Sequence, residues 1–191
     1  MAGFSGERSD QQNKRVAREP KPVSRTYLIN AAQSYLQRYA TSRANLQRIL
    51  LRKARLRGQE AFFTPEIQGL IVEVLDVLER MELLDDRAFA AGRAGTLQRK
   101  GTSTTLARQK LAAKGVPRDV AASAVAGLDM KDGEQAMITA RRLKLGPWRR
   151  TDPGSAFTPA EMGKLQRRGF GSAAIRKAVR LWQEQEEVQG D

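Results

Sequence analysis

A short pattern occurs twice in this chain, 54 residues apart: Leu111-Ala-Ala-Lys114-Gly115-Val116 and Leu165-Gln-Arg-Arg168-Gly169-Phe170. Each copy is followed, nine and ten residues after its glycine, by Ala-Val, at Ala124-Val125 and Ala178-Val179. A basic residue and glycine closing an apolar stretch reads as a helix end, because glycine takes the left-handed backbone that stops a helix at no steric cost. A looser third copy lies in residues 26–84, where Leu50 and Arg52-Lys53-Ala54 stand in the place of Leu111 and the Lys-Gly pair. Structural units that recur at this period bury their apolar faces internally and against their neighbours. The pattern therefore predicts an all-α fold, an elongated array of three tandem three-helix repeats of helix-turn-helix type: 26–84, 85–130 and 131–191.

The middle of the array is the most legible part. Asp85 and Asp86 can cap a helix by accepting bonds from its first unpaired amides and by complementing the positive end of its dipole. Of the two, Asp86 is the predicted cap. Phe89, Ala90, Arg93 and Leu97 then recur at helical spacing until Gly101, and Thr102 or Ser103 caps a second helix carrying Leu106, Lys110 and Leu111. From Asp86 to Arg118 there are eight Lys or Arg residues, and Asp86 is the one acid. Paired carboxylates elsewhere can be catalytic or bind metal. Followed at once by a helical pattern, with no third ligand type nearby, these two read as caps.

The remaining helices follow from the same signals. Residues 1–25 are polar and interrupted by Pro20 and Pro22, with six basic and three acidic residues, and read as a disordered basic tail. Tyr27, Leu28, Ala31, Ala32, Tyr35, Leu36 and Tyr39 form an apolar stripe from about Thr26. Ser42 caps a second helix, in which Leu46, Ile49, Leu50 and Leu56 share one side and Arg48, Arg52 and Arg55 line the other. Thr64 and Pro65 open a core helix carrying Ile67, Leu70, Ile71, Val74, Leu75, Val77, Leu78 and Met81, with Glu73, Asp76, Glu79 and Glu82 outward. Val120, Ala121, Ala124, Val125 and Leu128 make a short helix. The next starts at Asp132 or Gly133, uses Ala136, Ile138, Ala140 and Leu143, and stops at Gly146-Pro147. The turn-rich run 147–157 predicts a mobile connection. Thr158-Pro159-Ala-Glu161 is a capping box with proline at the first helical position. A last helix from Ser172 carries Ile175, Ala178, Val179 and Trp182.

Composition narrows the chemistry. The chain has 191 residues, 40% hydrophobic and 6% aromatic, which suits small helix-to-helix contacts. It contains no cysteine, and no histidine to serve as the usual general base or metal ligand. No catalytic constellation is visible and no cofactor or metal is expected. The formal charge of +13 implies attraction to polyanions. With no apolar run of membrane-spanning length and no signal peptide, the expectation is a soluble, cytoplasmic, monomeric protein that touches no membrane.

The cations are therefore the candidate site. Arg48, Arg52 and Arg55 belong to the first repeat, Arg99, Lys100, Arg108 and Lys114 to the second, and Arg141, Arg142, Arg167 and Arg168 to the third. Each set alone fits either an ordinary solvated face or an external anion. Taken together they fit an extended anionic assembly. A direct DNA-binding module or transcription regulator is the competing class, since the charge implies weak, salt-sensitive DNA binding, yet no segment resembles a recognition helix with base-reading residues at its start. A nucleic-acid enzyme would need carboxylates grouped for Mg2+, whereas the acids here lie on one helix face or at caps.

As an ensemble, Leu84-Asp85-Asp86 followed by Phe89-Ala90, Lys100-Gly101, Leu111 with Lys114-Gly115-Val116, and Arg167-Arg168-Gly169-Phe170 with Ile175 and Ala178-Val179 resemble the RecX family of recombinase regulators. The resemblance covers about residues 26–183, with Asp85, Asp86, Phe89, Gly115 and Gly169 as its structural signature. It departs at Glu82 and Leu83, where that family often has a glycine and an aromatic residue. The resemblance implies a non-enzymatic partner of the RecA recombinase, bound chiefly to its filament on single-stranded DNA and restraining ATPase, strand exchange and coprotease functions in recombination, repair and the SOS response. It carries over no catalytic residue and no individual contact.

Overall fold

The structure is a computed structural model that describes residues 20–58 and 64–189. Nine α-helices and one 3₁₀ turn account for most of these, and no strand occurs among the described residues. The first repeat consists of α1 (Arg25–Leu36), α2 (Arg43–Gly58) and α3 (Pro65–Arg80), and the second of α4 (Asp86–Arg99), α5 (Thr104–Ala113) and α6 (Arg118–Ala126). The third comprises α7 (Asp132–Leu143), the 3₁₀ turn Gly146–Trp148, α8 (Pro159–Gln166) and α9 (Ser172–Gln189). Helices pack mainly within their own repeat.

Each repeat has its own core. Leu28, Leu46, Leu50, Ile71, Val74, Leu75 and Leu78 fill the first. The second is built largely of alanines, Ala90, Ala94, Ala107 and Ala121, around Leu97, Leu111 and Val125. Leu145, Leu165, Phe170, Ile175 and three alanines make the third. Small side chains let helix backbones approach closely, which is how a chain poor in aromatic residues still builds three cores.

The repeated helix ends have a common geometry. Gly115 and Gly169 lie at φ +83° and +82°, and the residue after each donates its N–H back to the leucine four positions before the glycine, Val116 to Leu111 at 3.2 Å and Phe170 to Leu165 at 3.3 Å. Glu82 holds the same left-handed conformation after α3, at φ +57°, with Leu83 donating to Leu78. A non-glycine residue there is strained. In the first repeat Ala54 occupies the place of Gly115, and α2 continues through it to Gly58.

Several expectations need correction. The first helix starts at Arg25 with Ser24 as its cap, one residue before the expected Thr26. Of the expected tail, residues 1–19 lie outside the described residues, but 20–24 are tied to the end of α2. Lys21 N–H donates to the Arg57 carbonyl at 3.0 Å and Arg57 Nε to Pro22 O at 3.0 Å, with the Arg57 guanidinium over the Tyr27 ring. Leu56 is 78% exposed, since the buried stripe of α2 drifts instead through Ala54. Met81 is also exposed, because α3 ends one residue earlier. Thr64 stands at the cap of α3 without a capping side-chain bond. The cap of α5, expected at Thr102 or Ser103, is Ser103. In α7 the buried place is taken by Thr139 rather than Ile138.

The expected mobile connection is tied down. Arg149 donates from Nε to Glu161 Oε1 at 3.1 Å, from Nη2 to Glu161 Oε2 at 2.8 Å and to the Ala156 carbonyl at 3.0 Å, and pairs with Asp152. Phe157 covers Gly146 (φ +56°) so closely that a Cβ there would fall 2.5 Å from the ring. Run 147–157 is thus folded over the start of α8.

Candidate functional site

The pair Asp85-Asp86 divides its labour. Asp85, not Asp86, caps its own helix α4, accepting from the Arg87 N–H at 2.7 Å and the Ala88 N–H at 3.1 Å. Asp86 Oδ1 reaches into the first repeat and accepts the Arg43 N–H, the first of α2, at 2.7 Å. Next to it the Ser42 hydroxyl accepts from Asn45 N–H at 3.2 Å and donates to the Lys114 carbonyl at the end of α5.

The second junction repeats this arrangement. Asp132 Oδ1 accepts the Thr104 N–H, the first of α5, at 2.8 Å. The Ser103 hydroxyl accepts from Leu106 N–H at 3.2 Å and donates to the Arg168 carbonyl at 2.7 Å. The middle helices of the three repeats therefore meet end to start: α8 ends against the start of α5, and α5 against the start of α2. Carbonyl-rich helix ends carry partial negative charge and amide-rich starts carry positive charge, so each meeting is favourable. Gly115 and Gly169 make the approach possible, since an added Cβ would stand 2.7 Å from Ala44 Cβ or from Ser103 Oγ respectively.

The cations picked out from sequence fall along these helices and at the ends of the first helices. Arg48, Arg52 and Arg55 are exposed on α2, and Arg108 on α5. Lys114 and Arg167 are the C-terminal caps of α5 and α8 and extend into solvent. Arg168, half-buried, turns back to the Lys164 carbonyl at 3.1 Å. Arg99 and Lys100 close α4, and Arg141 and Arg142 close α7. Arg142 Nη1 donates to the Lys100 carbonyl at 2.9 Å, which brings those two ends together. Arg48, Arg52, Arg108, Lys114, Arg141 and Arg167 form no ion pair among the described residues.

Two arginines that the sequence did not single out do the opposite. Arg43 takes Asp76 at 2.6 Å and also Glu79 on α3, and Arg149 takes Glu161. Burial pushes the Glu161 carboxyl up. The hydrogen bonds from Arg149, from the Thr158 and Gly146 amides and from the Thr158 hydroxyl outweigh it and hold Glu161 at about 2. The cations thus include structural arginines clamped on acids and a second set, Arg48, Arg52, Arg108, Lys114, Arg141 and Arg167, with no ion pair among the described residues. The junction residues Ser42, Ser103 and Asp132 were also missed as connectors, although Thr41-Ser42 and Thr102-Ser103 form a visible repeat 61 positions apart. Phe89 is half-buried against the second core.

Comparison with known proteins fits this architecture. The family model of the second three-helix domain of RecX matches residues 85–125, which run from the cap of α4 to the end of α6. The regulatory protein RecX of Myxococcus xanthus (strain DK1622) is 36% identical over 178 residues, covering 89% of this chain and 93% of the relative. The chain belongs to the RecX family. The regulatory protein RecX of Agrobacterium fabrum (strain C58) is 28% identical over 173 residues, covering 90% and 92% of the two chains. No solved structure matches. RecX proteins are regulators rather than enzymes, in keeping with a surface whose distinguishing chemistry is cationic.

Proposed function

We propose that this RecX-family protein binds the RecA recombinase assembled on single-stranded DNA, in the cytoplasm and as a monomer, and restrains its ATPase, strand-exchange and coprotease functions. The observation that carries the reading is the set of cations, Arg52, Arg108 and Arg167 among them, that form no ion pair among the described residues and are distributed over three jointed repeats. A partner that touches Arg52, Arg108 and Arg167 must itself be extended and anionic, as a nucleoprotein filament is. Guanidinium groups grip carboxylates and phosphates bidentately, so the same residues serve protein acids and DNA backbone. Weak direct binding to DNA follows from the same charge.

The test is RecA's DNA-dependent ATPase rate, measured with the full chain and with Arg52→Glu, Arg108→Glu and Arg167→Glu, one exposed residue from each repeat. The proposal expects the parent to lower the rate at saturation and each variant to need more protein for the same effect. An unchanged rate at saturating parent protein, with DNA still bound, would leave a plain DNA-binding module instead.

A further inference from the structure

The two junctions share a frame but differ in what fills it. Counting back from the capping serines Ser42 and Ser103, Tyr39 and Ala40 correspond to Lys100 and Gly101; counting on from the aspartates Asp86 and Asp132, Gly92 and Arg93 correspond to Ile138 and Thr139. Between the second and third repeats this space is closed. Gly101 (φ +68°) packs so tightly that a Cβ would lie 2.7 Å from Ile138 and 2.9 Å from the Thr139 hydroxyl, which donates to the Gly101 carbonyl.

Between the first and second repeats the same space is an open groove of about 170 Å³ lined by Tyr35, Tyr39, Asn45, Phe89, Arg93 and Lys114. Gly92 stands at the position that corresponds to the filling isoleucine, and Arg93 at that of the closing threonine. Tyr39 is 55% exposed, and its ring lies 5.2 Å from that of Tyr35 with the planes 43° apart. Neither Arg93 nor Lys114 has an ion-pair partner among the described residues. An exposed ring face attracts either a flat π-system or a cation. With Arg38 already 5.9 Å from the Tyr39 ring centre and two more cations on the rim, a cationic ligand is repelled. What remains is a planar group attached to an anion. A nucleotide has both parts, and only in a single strand is the face of its base free to stack.

We propose that this groove is a subsite for one unstacked base of single-stranded DNA, stacked on Tyr39, with its phosphate held by Arg93 and Lys114. The choice of DNA rests on the function proposed above, but the test uses no recombinase, so either reading can fail alone. Fluorescence anisotropy would compare the full chain's affinity for labelled oligothymidylate and for an abasic strand of equal length and charge. The parent should prefer the base-bearing strand. Tyr39→Ala should lose about tenfold on it and nothing on the abasic strand, and Tyr39→Phe should retain the preference. Arg93→Thr should weaken both strands. Tyr39→Leu, which keeps an apolar side chain beside Tyr35 but no ring, should behave as Tyr39→Ala and decides the matter if the alanine variant misfolds. Equal parental affinity for both strands, no measurable binding, or an unaltered preference in Tyr39→Leu overturns the subsite. A labelled acidic peptide that binds the parent and is lost in Tyr39→Leu, while oligothymidylate shows no preference over the abasic strand, would show a protein ligand in its place and would overturn it too.

Discussion

The starts of α5 and α8 occupy the same place in successive repeats and satisfy their unpaired amides in different ways. At α5 the first N–H goes to Asp132 of the following repeat, and the capping Ser103 is itself anchored to that repeat's Arg168 carbonyl. At α8 the partners come from within the same repeat. The first residue is Pro159, which has no N–H to satisfy. Thr158 accepts the Glu161 N–H at 3.3 Å, Glu161 accepts the Thr158 N–H at 2.9 Å, and Arg149 neutralises the carboxylate. The difference gives the array a direction: the first repeat leans on the second, the second on the third, and the third closes on itself. The run 147–157, longer than a compact repeat requires, is the closure.

The largest effect should come from blocking the inter-repeat approach. Gly169→Ala adds a Cβ 2.7 Å from Ser103 Oγ at a positive φ, and should cost on the order of 2–3 kcal/mol. Gly171→Ala, where a Cβ meets nothing within 4 Å, should stay within about 0.5 kcal/mol. Thermal or urea denaturation of the pair compares them, and equal stabilities would mean that the junction yields freely.

Breaking the self-closed end should rank next. Glu161→Gln strips the charge from a buried hydrogen-bonded cluster and should cost on the order of 2 kcal/mol. Its pH signature is specific. The folded carboxyl titrates at about 2, against an ordinary glutamate value of 4.5, so its stabilisation is complete above roughly pH 4.5 and is lost as the pH falls towards 2. Denaturation midpoints measured down this range should show a component that is missing in Glu161→Gln. The same acid sensitivity in both proteins would place its cause elsewhere.

The paired aspartates should give smaller changes. Asp86→Ala should cost about 1 kcal/mol and loosen the first repeat rather than its own helix, with faster hydrogen exchange in the opening turn of α2. Asp85→Ala should loosen α4. The reverse pattern would return Asp86 to the role the sequence suggested for it. Smallest of all is a gain: Glu82→Gly relieves a left-handed glutamate at φ +57° and should add on the order of 0.5–1 kcal/mol. No gain in the denaturation midpoint would mean that Glu82 makes compensating contacts.

What could be read from the chain and what could not divide along the range of the interaction. The Lys-Gly ends, the capping box at Thr158 and the cap at Ser42 are local, set by residues within four positions of one another, and sequence carries them directly. Asp86 was misread because Asp85 beside it offers the same chemistry, and only packing decides which carboxylate turns to its own helix. Leu56 and Ile138 were misplaced for a related reason: periodicity gives a face but not the angle at which a neighbouring helix covers it. Arg48, Arg52 and Arg108 were legible as exposed charge. Arg43 and Arg149 differ from them in the acids that folding brings near, and no spacing rule announces that.

The regulator reading itself is tested most directly by the salt dependence of binding. Affinity of the full chain would be measured for single-stranded DNA alone and for the same DNA coated with RecA in a slowly hydrolysed ATP analogue, across a range of salt concentrations. Binding to bare DNA is driven by counterion release and falls steeply with salt, whereas a protein groove adds buried apolar area and directed hydrogen bonds. The account predicts tighter binding to the filament at every salt concentration and a shallower slope. Equal affinities with equal slopes would contradict it.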